Sequence, residues 1–224
     1  MPSSSANPLT RRSILIVVGL ALVSFGVLIW LSGSDERREN RIHSARATLG
    51  QAGDTGEGTS RRRALNYLIR TKQSLAGADL SSWDLRKMDF AEIELKGADF
   101  SEASLDFADL QAADLRDARF DFTNLIGANL ARANLEGSEI FQVDLNLANL
   151  TGANLRNVRL EKVDLAQVNF AGAQLEGATF TEVENLEVRL IKDACWDEST
   201  MWPTGFEKKM RAAGLPRVKR SPGR

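Results

Sequence analysis

From Leu75 to Phe180 a large apolar residue stands at every fifth position, beginning Leu75, Leu80, Leu85, Phe90, Leu95 and ending Leu175, Phe180. There are twenty-two such centres in succession, each Leu, Phe or Ile. On an α-helix a step of five advances about 500°, so no apolar stripe forms. In a flat strand the same step throws successive centres onto opposite faces. The chain must turn once per repeat. A quarter turn each time points every centre at a common axis and stacks residues twenty apart, which predicts a four-sided solenoid.

The other positions fit that geometry. Two before the centres, where strand alternation also points inward, stand Ala78, Ala98, Ala103, Ala108, Ala113, Ala118, Ala128, Ala133, Ala148, Ala153, Ala173 and Ala178. Small side chains suit a place where four walls converge. The glycines of this region fall two after a centre, Gly127 and Gly177 among them, where a corner takes positive φ or a tight backbone. No proline occurs between 9 and 202, so the amides stay free to pair between coils. Trp83, Met88, Ile93, Val143, Val158, Val163 and Val168 replace the small residue and imply a wider shaft there. The frame breaks after Phe180, where 185 is Asn, and Leu190 is in frame again. At about 4.8 Å per coil the rod is roughly 26 Å long.

Ahead of the repeats, Ser13 to Leu31 runs nineteen residues without a charge, the length a helix needs to span a bilayer. The run exceeds a signal-peptide core, and LSGSDE offers no A-x-A cleavage pattern. Trp30 sits where an indole lies at headgroup level. Arg11 and Arg12 precede the helix, while Arg37, Arg38, Arg41 and Arg46 follow it, which leans the body towards the cytoplasm. The predicted segments are a tail at 1–12, a transmembrane helix at 13–32, a juxtamembrane helix and linker at 33–60, an N-terminal capping helix at 61–74, the β-helix at 75–190, and a C-terminal cap and basic tail at 191–224. In the juxtamembrane helix Ile42, Ala45 and Leu49 share helical spacing, and in the capping helix Leu65, Leu68 and Ile69 form one face with Ser60 available as N-cap.

Charge sharpens the picture. The formal net charge of −1 hides a basic head, an acidic body and a basic tail: 11 Lys/Arg against 5 Asp/Glu in 1–74, 10 against 21 in 75–190, and 8 against 4 in 191–224. One cysteine, Cys195, excludes an internal disulfide, and one histidine, His43, removes most routes to a metal site or triad. No nucleotide or metal-ligand spacing is present, so neither enzyme chemistry nor a cofactor is expected.

The motif A-(D/N)-L-x-x over 75–180 resembles the pentapeptide-repeat family. The tail CWDESTMWPTGFEKKM resembles a closing segment of such proteins, and ENRI followed by GEGTSRRRALNYLIRTKQSLAGADL resembles the lead-in of membrane-attached members. The resemblance implies an all-β solenoid, a right-handed quadrilateral β-helix, with an N-terminal transmembrane helix and short helical caps. Its handedness comes from the resemblance alone. The expected function is a non-enzymatic, membrane-anchored scaffold for protein–protein interaction, single-pass in the bacterial inner membrane. Its partner is an unknown protein; a homodimer is possible, and no direct nucleic-acid binding is expected. Some family members resemble duplex DNA and so occupy type II topoisomerases, which makes an acidic DNA-mimicking inhibitor the alternative.

Two groups of residues are candidates for an interaction surface. Asp79, Asp84, Asp89 and Asp99, each just before a centre, belong to an acidic stretch, 75–124, with 12 acids and 5 bases; a solvated wall is the competing account. Phe107, Phe122, Phe141 and Leu147, with Ile126, fall at outward or corner positions.

Overall fold

The computed structural model describes residues 35–50 and 60–219. The predicted transmembrane helix at 13–32 lies outside the described residues, among which no helix is long and apolar enough to cross a membrane. The chain divides into two units, 1–44 and 45–224. Helix α1 covers 35–49, and Ala45 and Leu49 in the second unit are buried.

In the second unit the five-residue step becomes a square coil. Most repeats close with a turn in which the N–H three residues after a centre donates to that centre's carbonyl, as in Ala78 N–H to Leu75 O at 3.0 Å and Ala98 N–H to Leu95 O at 3.0 Å. Successive coils pair in parallel: Leu75 N–H donates to Glu94 O at 2.8 Å, Leu80 to Asp99 and Leu85 to Ser104. The four sides are named A to D from the centres Leu75, Leu80, Leu85 and Phe90 and the residues stacked on each at intervals of twenty. Side B carries the longest extended pieces, β1 (Arg119–Asp121), β2 (Glu139–Phe141), β3 (Arg159–Glu161) and β4 (Thr179–Thr181). They form one parallel sheet in the order β1-β2-β3-β4 with Phe120, Ile140, Leu160 and Phe180 in register.

The centres are buried and fill the shaft. Phe100 and Phe120 stack at 5.1 Å between ring centroids, and Phe90 meets Phe100 edge-on at 6.4 Å. Each contributes about 1.5–3 kcal/mol by leaving water. The small inward residue sets how tightly a corner closes. Where it is alanine the turn bond is 2.9–3.1 Å; at Val158 and Val168 it lengthens to 3.3 Å, and no such bond closes at Val143 or Val163. Valine at the fourth turn residue thus goes with a longer or open corner, whereas Ile93 closes at 3.1 Å as alanine does. Thr123 lies at the same place on side C and donates instead to Phe100 O at 2.7 Å, so its buried hydroxyl is satisfied.

Both ends are covered. Helix α2 (Ser60–Arg70) buries Ala64, Leu65, Leu68 and Ile69 and starts at Ser60 itself. Arg61 lies 4.7 Å over the ring of buried Trp83, and Arg62 donates to Asp84 O. At the other end Leu190 is buried on the short helix α3 (Val188–Ile191), not on a coil. Pairing resumes beyond it, Leu175 N–H to Cys195 O at 2.8 Å and Phe180 N–H to Met201 O at 2.9 Å. The shaft is then closed by Trp202, stacked on Phe180 at 4.9 Å and 5.4 Å from Phe206 of α4 (Phe206–Ala212). Cys195 is buried, as a small hydrophobe at a cap would be.

Candidate interaction surface

The residue before each centre is outward, yet it is not idle. Asp79 Oδ1 accepts from Ser81 N–H at 3.1 Å, Asp89 Oδ1 from Ala91 N–H at 2.9 Å and Asp99 Oδ1 from Ser101 N–H at 2.9 Å. Asn124, Asn129, Asn149 and Asn154 accept in the same way from the N–H two residues on. The side-chain oxygen thus satisfies a corner amide, a local bond that Asp and Asn alike can make. Asparagine adds a donor. Asn129 Nδ2 donates to Asp109 at 3.0 Å, Asn149 Nδ2 to Asn129 at 3.1 Å, and Asn154 Nδ2 to Asn134 at 2.9 Å, so sides D and A carry amide ladders along the rod.

The same bonds set the acidity of this wall. The Arg86 guanidinium beside Asp84, 2.7 Å away, holds its carboxyl down at about 2. The hydroxyl of Ser81 lowers Asp79, and Arg116 at 2.6 Å lowers Asp114. Asp121 moves the opposite way: burial raises it in spite of Arg119 at 3.8 Å. The four acids singled out in the sequence are not one cluster. Asp79 and Asp99 pair on side B, Asp84 lies on side C and Asp89 on side D.

The apolar candidates converge better. Phe107, Phe122 and Leu147 are 57%, 55% and 51% exposed, and all three occupy corner positions with φ of 56°, 57° and 63°. Phe107 and Leu147 stand on the corner between sides C and D, two coils apart, with Gly127 between them. A Cβ on Gly127 would lie 2.5 Å from Phe107 Cε1, so the ring lies across that glycine. Phe122 stands on the corner between B and C, edge-to-face with half-buried Phe141 at 5.5 Å, and Lys162 Nζ lies 5.3 Å from the Phe141 ring. Two apolar ridges therefore border side C at the same three coils, with half-buried Ile126 at its exit.

Elsewhere the molecule offers shallow openings. A groove of about 310 Å³ in the C-terminal cap is lined by Asp197, Glu198, Trp202, Glu207, Met210 and Arg211; Glu207 faces Arg211 and Glu198 faces Arg217, each at 3.8 Å. Among the described residues no group of three or more His, Cys, Asp or Glu is placed to hold a metal ion. His43 is exposed.

Comparison with known proteins agrees with this geometry. Residues 74–106 match the family description of pentapeptide repeats and residues 113–190 that of a pentapeptide repeat region. The body is thus a pentapeptide-repeat solenoid, a right-handed β-helix as that family implies, and its parallel sheet is consistent with this. No curated protein matches the chain. Among solved structures, Rfr23 from the cyanobacterium Cyanothece 51142 is 23% identical over 62% of this chain and 97% of its own, with a TM-score of 0.30. HetL of Nostoc sp. PCC 7120, involved in regulating heterocyst differentiation, is 27% identical over 49% and 65%, with a TM-score of 0.23. QnrB1, a plasmid-mediated fluoroquinolone resistance protein, is 17% identical over 64% and 86%, with a TM-score of 0.42.

Proposed function

We propose that the chain is a non-enzymatic scaffold that holds a rigid pentapeptide-repeat rod at a bacterial inner membrane and binds another protein along it. One observation carries the scaffold reading. The Asp and Asn side chains just before the centres are engaged in the rod's own turns and ladders, while large apolar side chains stand exposed at its corners. Such a surface is suited to contact and not to bond chemistry. The uncharged run from Ser13 to Leu31 supports the anchor, and the arginines after it support a cytoplasmic body. Expression of the full chain followed by alkaline extraction of membranes tests the anchor: the protein should stay in the pellet, and a variant lacking 1–34 should leave it. Release of the full chain by alkali sinks the membrane reading.

A second reading, an acidic mimic of duplex DNA that inhibits a type II topoisomerase, draws on the 12 acids against 5 bases in 75–124. The ion pairs of Asp84 with Arg86 and Asp114 with Arg116 weaken that field locally. Inhibition of gyrase supercoiling by micromolar full chain would favour the mimic over the scaffold.

A further inference from the structure

We infer that side C, between the ridge of Phe107 and Leu147 and the ridge of Phe122 and Phe141, is the docking surface for a basic, apolar segment of a partner protein. The inference rests on the scaffold reading and names its face.

The corners supply the first argument. The residue two after a centre has positive φ around the whole solenoid, and its occupants are Gly, Ala, Ser, Asp, Asn, Glu, Gln, Lys or Arg, except Phe107, Phe122 and Leu147. A bulky side chain in this backbone region is unfavourable relative to glycine, and exposing it to water adds to the cost. The three exceptions are not scattered over four corners. They fall on the two corners that bound one side, within three consecutive coils.

Charge supplies the second. Residues 102–107, 121–127 and 141–147, which make this stretch of side C and its two corners, contain four acids, Glu102, Asp106, Asp121 and Asp144; two cations border them, Arg119 at 3.8 Å from Asp121 and Lys162 over the Phe141 ring. An apolar surface edged by four carboxylates fits a segment that presents Lys or Arg among large apolar side chains. It also disfavours a second copy of this chain in symmetric contact, because the same four acids would face one another.

The test uses the full chain in detergent and a phage-displayed library of random twelve-residue peptides. The expected result is enrichment of peptides that combine Lys or Arg with Phe, Leu or Trp. Their affinity should fall at least tenfold in Phe107→Ser/Phe122→Ser/Leu147→Ser with its acids intact, and at least tenfold in Asp106→Lys/Asp144→Lys with its apolar residues intact. Asp89→Asn/Asp109→Asn on side D should bind within twofold of the parent. If the triple variant does not fold, the charge-reversed pair decides. Basic peptides that bind both variants as well as the parent overturn the choice of side C and leave the scaffold reading standing on another face. Failure to enrich any peptide overturns both. A dimer by analytical ultracentrifugation that the triple variant abolishes assigns the face to a second copy and overturns the inference.

Discussion

At the scale of single residues the corners decide what a substitution does. Gly97 and Gly127 occupy equivalent corners with φ of 66° and 64°, but nothing lies within 4 Å of a Cβ built on Gly97, while one on Gly127 meets the Phe107 ring. Forcing an L side chain into the left-handed region costs about 1–2 kcal/mol. Gly97→Ala should lose that amount in urea denaturation and Gly127→Ala measurably more, with Phe107 displaced; equal losses would show that the ring does not rest on the glycine. Ser138 raises the opposite expectation. Its hydroxyl is buried at an inward position that alanine holds at 78, 98, 118 and 178 of the same column, without a hydrogen-bond partner. An unsatisfied buried hydroxyl costs about 1–3 kcal/mol, so Ser138→Ala should raise the denaturation midpoint by the equivalent of about 1 kcal/mol. A lower midpoint would mean that the hydroxyl is satisfied.

At the scale of the side and its ladder, the residue before the centre links sequence to pH. A carboxyl whose pKa is lower in the folded than in the unfolded chain stabilises the fold above the unfolded value, and that contribution disappears as pH falls through the folded one. Asp79, Asp84 and Asp114 are of this kind and Asp84 reaches about 2, whereas Asp121, raised by burial, acts in the reverse direction. Melting temperature should therefore fall between about pH 4 and 2; Asp84→Asn should flatten part of that decline. Asn129→Asp keeps the corner acceptor but turns the donor facing Asp109 into a second carboxylate. Because two adjacent carboxylates repel when both are ionised and the donated hydrogen bond is lost, the substitution should cost about 1–3 kcal/mol at pH 7 and little in acid, where protonation relieves the repulsion. A pH-independent cost would show that packing and not charge is responsible. This role of Asp and Asn was not legible in the sequence, where an outward carboxylate reads as solvated wall. The bond it makes is to a backbone amide two residues on, and no residue pattern distinguishes that from exposure. Positive φ was legible only where glycine marks it; Lys87, Glu92 and Phe122 adopt the same φ without any compositional trace. The apolar positions, by contrast, carried their geometry openly, since no straight element tolerates their spacing. The exposed Phe107, Phe122 and Leu147 were visible as a set, but only the coil shows that they edge one side.

At the scale of the molecule, the solenoid has two nested periods, and deletions separate them. Stacking needs a step of twenty to keep each column intact, whereas inward pointing needs only a step of five. Removing 151–170 takes out one coil and joins Leu150 to Ala171 in the same frame on the same side. Each coil contacts only its neighbours, so stability should drop by one repeat's share while cooperative unfolding and the β-type circular dichroism persist. Removing 151–155 preserves every inward centre but rotates all later columns by one side. Phe180 of side B then comes to lie over the Leu column of side A and Phe170 of side D over that of side C, and the penalty is repacking. Removing Ala153 alone turns the later centres outward and the polar positions inward, and no rearrangement of side chains repairs that. The expected order of denaturation midpoints, measured on full-length chains in one detergent, is parent, twenty-residue deletion, five-residue deletion, with the single deletion unfolded. A single deletion as stable as the coil deletion would mean that the apolar centres do not hold the rod together, and the rigid surface on which docking at side C depends would go with them.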